Sequence, residues 1–127
     1  MHPSTRFYVR GLFLLGMSAF AQWSFAEDLT DGTIQNLPAA FDAGWKGEKT
    51  CEVLYELDSV RVGRCSFAPG VGHEKHFHAP HFGYVLEGGT MRIRDAAGVE
   101  KVVTTTAGKS WSSDKITVHE VLNIGDT

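Results

Sequence analysis

Four closely spaced histidines and one distant histidine are the side chains in this sequence best suited to chemistry. His76 and His78 are two residues apart, so on a β-strand their imidazole rings would point to the same face. Imidazole is a good ligand for zinc, iron, nickel and copper, and His119 would complete the site from a distant strand. The His-x-His spacing predicts a metal site at His76 and His78, with His119 as the candidate third ligand; the alternative for an isolated His-x-His pair is two ordinary surface or hydrogen-bonded histidines.

The two cysteines, Cys51 and Cys65, lie symmetrically about Asp58 in segments that are typical of the two arms of a β-hairpin. Directly opposed strand positions bring the Cβ atoms within reach of a disulfide. We predict a structural disulfide between them. The alternative is two buried thiols that do not meet, and a catalytic thiol is disfavoured because neither cysteine lies in a motif of its own.

Short segments of alternating or β-branched residues, separated by glycine-rich turns, must position these side chains. No stretch of ten or more residues has helical periodicity, so the sequence predicts an all-β sandwich or barrel, with a β-bulge at Gly63. The predicted strands are residues 51–57, 60–67, 84–86, 91–94, 99–106 and 116–124.

Two patterns around the histidines resemble the paired motifs of the cupin superfamily. Gly70, His76 and His78, followed by the segment Tyr84-Val85-Leu86-Glu87-Gly88, resemble its first motif. Gly108, His119 and Asn123 resemble its second motif with unbroken spacing. The resemblance covers residues from about 50 to the end. It implies a small antiparallel β-barrel of the jelly-roll (double-stranded β-helix) type, with a homodimer as the expected assembly and one divalent transition metal (Fe, Mn, Ni, Cu or Zn) in its mouth.

The sequence departs from the first cupin motif at the usual glutamate ligand. The positions separated from His78 by three or four residues hold Phe82 and Gly83, whose side chains do not bind metals. If the alignment is anchored instead on residues 84–88, the glutamate position falls on His81. We therefore expect His81 as a fourth metal ligand; its alternative role is a histidine at the rim of the cavity.

The second motif departs from the family at Asp114 and Ile116, which stand where the family has Pro and Gly. The resemblance also implies a further strand after Asn123, which the printed sequence lacks. The missing strand would leave one edge of the barrel open. A chain that continues beyond Thr127, a partner subunit or the N-terminal arm would each cover this edge.

Other residues near the motifs have two readings each. His73 and Glu74 are either outer-shell groups of the metal site or solvent-exposed. Four aromatic residues either line a pocket or form the barrel core: Phe77, Phe82, Tyr84 and Trp111.

The first 26 residues have the layout of a secretory signal peptide. Arg6 and Arg10 precede an apolar run at 11–21, and the small-x-small triplet 24–26 precedes two acidic residues. An uncleaved membrane anchor is the alternative. The predicted organisation is a leader at 1–26, an arm at 27–49 and a cupin domain at 50–127, in an exported protein, periplasmic or secreted.

Charge and composition narrow the partners. After the leader the chain carries 15 acidic residues and a formal charge of −5, without a Lys/Arg cluster. This pattern gives no support to a nucleic-acid surface or, once the leader is cleaved, to membrane binding. A small-molecule ligand or substrate is the expected partner.

An all-histidine site would be more positive than one with a carboxylate, which favours anionic substrates and Lewis-acid chemistry. Within the cupin superfamily, three-histidine iron sites resemble those of thiol and diketone dioxygenases, so one hypothesis is a dioxygenase-like enzyme. The second is a non-catalytic cupin that binds a metal or small ligand. The chain is also similar to small cupins associated with catabolic pathways such as β-alanine degradation.

Overall fold

The computed structural model describes residues 34–127, and its regular segments are almost entirely β-strands in antiparallel sheets. The prediction of an all-β chain is confirmed for this part. The predicted leader, 1–26, and the first part of the predicted arm lie outside the described residues. Among residues 34–127, no helix is long and apolar enough to cross a membrane.

Ten strands follow one another along the described chain. They are β1 (Gly44–Trp45), β2 (Glu48–Lys49), β3 (Cys51–Leu57), β4 (Val60–Cys65), β5 (Gly72–His78), β6 (His81–Tyr84), β7 (Gly89–Asp95), β8 (Glu100–Thr105), β9 (Ser110–Ser113) and β10 (Thr117–Asn123).

A four-stranded sheet with the order β5–β10–β7–β8 is the centre of the fold. Its buried apolar residues include Val118 and Val121 on β10. On β7, Asp95 lies opposite His119, and on β8, Lys101 lies opposite Ile93. Since directly opposed residues share a face and side chains alternate along a strand, these four residues lie on one face, which we call the histidine face.

A β-bulge in β5 changes which side chains reach the histidine face. His76 is opposite His119 and His73 is opposite Val121, so Glu74 and Lys75 together oppose the single residue Glu120. An extra residue in one strand reverses the alternation beyond it. His73 and His76, three residues apart, therefore lie on the same face.

Gly72 allows β5 to approach its neighbours closely at the start of the strand. A Cβ atom at this position would collide with the carbonyl oxygen of Val121 and with the ring of Trp45. Only glycine fits here without moving backbone, which explains a glycine at the first residue of a strand that pairs with β10.

β3 and β4 form a separate hairpin that turns at Asp58 and is closed at its base by a Cys51–Cys65 disulfide. The two cysteines are directly opposed in the register. The expected bulge lies on the other strand from the one predicted. Leu54 on β3 is the extra residue, opposite the step between Gly63 and Val62.

The hairpin leaves apolar side chains exposed on both of its faces. The four charged side chains of its two strands pair with each other, Arg64 with Glu52 and Arg61 with Glu56, and Asp58 lies at the turn. The exposed apolar residues of the hairpin lie between these pairs and next to the turn: Val53, Leu54, Tyr55, Leu57, Val60 and Val62.

The predicted barrel does not close within residues 34–127. The sheets β1–β2, β3–β4 and β6–β9 stay separate from the four-stranded sheet, whose edges are β5 and β8. Closing a barrel requires hydrogen bonds between the first and last strands, and among the described residues no strand joins β8 back to β5. The strand predicted at 84–86 also lies earlier, as β6, paired with β9.

Candidate metal centre

Three histidines meet on the histidine face for two separate geometric reasons. His76 and His78 are two residues apart on β5, and His119 is the direct cross-strand partner of His76. Directly opposed residues of antiparallel strands have their Cβ atoms about 4.5–5.5 Å apart. The ligand-capable atoms of His76, His78 and His119 all lie within 4.8 Å of one another.

The distances between the ring nitrogens suit a single metal ion. His78 Nε2 lies 2.9 Å from His76 Nε2 and 3.2 Å from His119 Nε2. Two nitrogens bonded to one ion at about 2.1 Å are about 3.0 Å apart at a right angle and about 3.4 Å apart at the tetrahedral angle. These two pairs therefore have the spacing of ligands of one ion, and all ligand-capable atoms of the group lie within the 4.8 Å given above.

The backbone at the β5 bulge orients His76. Its Nδ1 is 2.6 Å from the carbonyl oxygen of Glu74. Because a carbonyl only accepts, Nδ1 must carry the proton, which leaves the Nε2 lone pair of neutral His76 directed at the other two rings. This is the arrangement in which an outer-shell acceptor fixes the tautomer of a metal-binding histidine.

Burial keeps the three rings neutral at physiological pH. Burial, helped by the positive charges that the neighbouring histidines would carry, lowers the pKa of His76 to about 3. Burial likewise lowers the pKa of His78 to about 4 and that of His119 to about 4. Nearby His119 and His73 add to these two shifts. Neutral imidazole is the form that binds metals.

His73 is a buried part of the site. It is only 3% exposed, and its ring centroid is 3.9 Å from that of His76. Its Nε2 lies 3.8 Å from Cys51 Sγ at the base of the hairpin. His73 therefore packs between the disulfide and a candidate ligand, whereas Glu74 is exposed and takes part through its carbonyl group.

The structure does not bring His81 into the group of three. Its Nδ1 donates to the carbonyl of Ala79 at 2.9 Å, and its Nε2 accepts the indole N–H of Trp111 at 3.3 Å. Both nitrogens are engaged, so no lone pair is left for an ion in this arrangement. The ring instead stacks on His78, with centroids 4.5 Å apart, and supports it from the outside.

An open cavity of about 420 Å³ lies beside His119. Its walls combine aliphatic residues with Asp95 and Lys101 of the histidine face. The aromatic residues singled out in the sequence do not line it. Three of them are mostly exposed on the β6–β9 sheet: Phe82, Tyr84 and Trp111. Phe77 is half-buried.

No protein-family model matches this chain, and no significant match was found among curated proteins or solved structures. The class of site therefore rests on the geometry of His76, His78 and His119. The strands define an all-β protein, and these three histidines form a group able to hold a metal.

The sequence named His73 and Trp111 near the site but did not give their positions. The period-two rule places His73 on the opposite face from His76, because a bulge cannot be read from alternation. The adjacent charged residues Glu74 and Lys75, both exposed, are the only local signal of it. Trp111 is 30 residues from His81, and nothing in the spacing links them.

We expect the metal-free protein to lose stability as the pH falls below about 6.5. The unfolded chain takes up protons on His76, His78 and His119 near that pH, whereas the folded state resists them until about pH 3 to 4. The contribution is complete above pH 6.5 and falls by up to about 1.4 kcal/mol per pH unit for each histidine. Urea unfolding of metal-free protein at pH 7, 6 and 5 measures this slope, which should be shallower in His119→Ala. Equal slopes in the two proteins would contradict the assignment.

Proposed function

We propose that this protein binds one divalent transition metal through His76, His78 and His119 and uses it on a small molecule. The observation that carries the proposal is the convergence of three Nε2 atoms, 2.9 and 3.2 Å apart in successive pairs. Three protein ligands with open positions are the arrangement of catalytic rather than closed structural sites.

The donor set limits the choice of ion. The group contains three neutral nitrogens and, among residues 34–127, no carboxylate or thiolate. Nitrogen ligands favour iron, nickel, copper and zinc, whereas manganese prefers oxygen. We therefore rank manganese last among the five ions that the sequence suggested.

Competition with a chromophoric chelator tests this step. Metal-free protein titrated with Zn(II), Ni(II), Cu(II) or Fe(II), the last without air, should take up one equivalent, with Mn(II) the weakest. Uptake of no ion, or uptake that is unchanged when all three histidines are replaced by alanine, would overturn the proposal.

The catalytic form of the proposal is a dioxygenase-like enzyme. The metal would supply Lewis-acid or redox chemistry, depending on the ion. The chain's own groups hold the rings neutral, orient His76 through Glu74 and support His78 through His81. The cavity beside His119 gives a small molecule access to the same region, and this observation favours catalysis.

The alternative is a non-catalytic cupin that holds a metal or a small ligand. This alternative includes a role in a catabolic pathway such as β-alanine degradation. Oxygen consumption by the Fe(II)-loaded protein separates the two. Thiols, diketones and phenols are the candidate substrates, and His76→Ala is the control. Uptake of oxygen that depends on substrate and on His76 supports the enzyme; no uptake with any of them supports the binding protein.

The cupin assignment and the exported location are part of this proposal. The motifs around His76 and His119 support the first, with an open arrangement of sheets in residues 34–127 in place of a closed barrel. The Cys51–Cys65 disulfide supports the second, since disulfides persist in oxidising compartments.

We also propose that the β3–β4 hairpin is covered by a second copy of this chain. Six of its apolar side chains are at least 42% exposed. An isolated hairpin is only marginally stable in water, and apolar patches of this kind mark surfaces that contact a partner. The charged side chains of its two strands pair with each other, which limits like-charge repulsion when two copies approach. A homodimer would bury these faces.

Light scattering after gel filtration tests the dimer. We expect a mass of two chains for the parent and of one chain for Leu54→Ser/Leu57→Ser, because both side chains are more than half exposed and add little to the monomer. Val99→Ser/Val102→Ser, equally exposed but in and beside β8, away from the hairpin, is the matched control and should stay dimeric. A monomeric parent, or a control that dissociates equally, would refute the hairpin interface.

A further inference from the structure

The cavity beside His119 is a candidate binding site, and its walls divide into two chemical kinds. Ile93, Val99 and Ile116 line it, and Val99 remains 63% exposed. Aliphatic surface left in water within a concavity favours an apolar ligand group. Lys101 is the cation of the same wall, and His119 connects the cavity to the candidate metal centre.

Strand register places Lys101 on the ligand side of the sheet. It lies opposite Ile93 on β7, and β7 in turn pairs with β10, which carries His119. The outer face carries the arginines of β7, whose charges are engaged there: Arg94 pairs with Glu100 and Glu120. Among residues 34–127, no carboxylate lies within 4.0 Å of Lys101, so its ammonium group is available to a ligand.

The acidic residue of the cavity is already oriented by the backbone. Asp95 Oδ1 accepts the N–H of Val99 at 2.9 Å and so fixes the turn between β7 and β8. The wall therefore carries one negative charge, from Asp95, and one positive charge, from Lys101. A bound metal ion adds further positive charge, so the metal-loaded cavity favours an anion.

We propose that this cavity binds small aliphatic carboxylates, with the carboxylate paired to Lys101 and the hydrocarbon part against Ile93, Val99 and Ile116. The proposal rests on the proposed function, because it names the class of molecule presented to the metal held by His119 and its partners. A short fatty acid such as hexanoate combines the two features, and hexanamide is its neutral counterpart of the same shape.

The test is a titration of isotope-labelled protein with hexanoate, followed by amide NMR shifts, in both the metal-free and the zinc-loaded state. We expect saturable shifts at residues of the cavity wall and tighter binding in the zinc-loaded state. Hexanamide should bind about fivefold more weakly, as should hexanoate to Lys101→Gln, since an exposed charge pair contributes up to about 1 kcal/mol.

Lys109→Gln is the matched control, because it removes the same charge from an exposed lysine that does not line the cavity. It should bind hexanoate like the parent. Absence of cavity shifts in both states, or equal binding by Lys101→Gln and the parent, would overturn the proposal. Failure to load zinc would instead overturn the metal function, and the metal-free titration would still decide whether carboxylates bind.

Discussion

Replacing His76 with alanine should abolish stoichiometric metal binding. His76 is fully buried, and its Nε2 is held in place by the Nδ1–H bond to the Glu74 carbonyl. Loss of an outer-shell partner alone typically costs about 10- to 100-fold in metal affinity, and loss of a buried ligand should exceed this range. We expect the dissociation constant for zinc, measured by chelator competition, to rise by more than about 100-fold.

His81→Ala is the matched control, because it removes a neighbouring histidine whose nitrogens are engaged by Ala79 and Trp111. It removes the ring that stacks on His78 and should lower zinc affinity by less than about tenfold, less than removal of a ligand. An effect of His81→Ala equal to that of His76→Ala would mean that His81 swings in as the fourth ligand, as the sequence alone suggested.

Removing the disulfide should produce the largest change in stability. Cys51 and Cys65 close a loop with a sequence separation of 14. Opening a loop of about this length costs about 3 kcal/mol in the chain-entropy account. We expect Cys51→Ala/Cys65→Ala to lower the free energy of unfolding in urea by this amount, compared with oxidised parent at pH 7.

The control for the cysteine variant is the parent protein in the presence of a strong reductant, which should show a similar loss. Reductant should leave the variant's own stability unchanged. A loss below about 1 kcal/mol in both experiments would show that the hairpin base is held without the covalent link, by packing around His73.

Much of the metal centre was predictable because it follows from local rules. Side chains two residues apart on a strand point to the same face, and this rule is sufficient to pair His76 with His78. His119 lies 41 residues from His78, and no local rule connects them. Its assignment depended on a family resemblance, and the register of β5 against β10 provides the physical reason that it meets His76.

The sequence could not give the direction of a side chain where a single backbone feature changes it. The bulge at Glu74 and Lys75 rotates His73 into the site, and alternation cannot show this. The turn after His78 leaves His81 hydrogen-bonded to Ala79 and Trp111, so a histidine of the right type falls outside the group. Ligand chemistry suggested His81, and only the structure gives the orientation of its ring.

The wider arrangement of the strands was harder to predict for a different reason. Strand alternation predicted β3 and β4 well, since the hairpin is a local structure with a turn at Asp58. Barrel closure depends on which edges of β5 and β8 meet other strands. This is a long-range property, and alternation within a strand carries no information about it. The exposed apolar faces of the hairpin follow from the same missing pairing.

The most direct test of the central claim is metal-edge X-ray absorption of the protein loaded with one equivalent of zinc. If His76, His78 and His119 hold the ion, the spectrum should show three imidazole nitrogens at about 2.0–2.1 Å, with solvent oxygen in the remaining positions. A first shell of oxygen atoms without imidazole scattering, or one containing sulfur, would place the metal elsewhere and contradict the account.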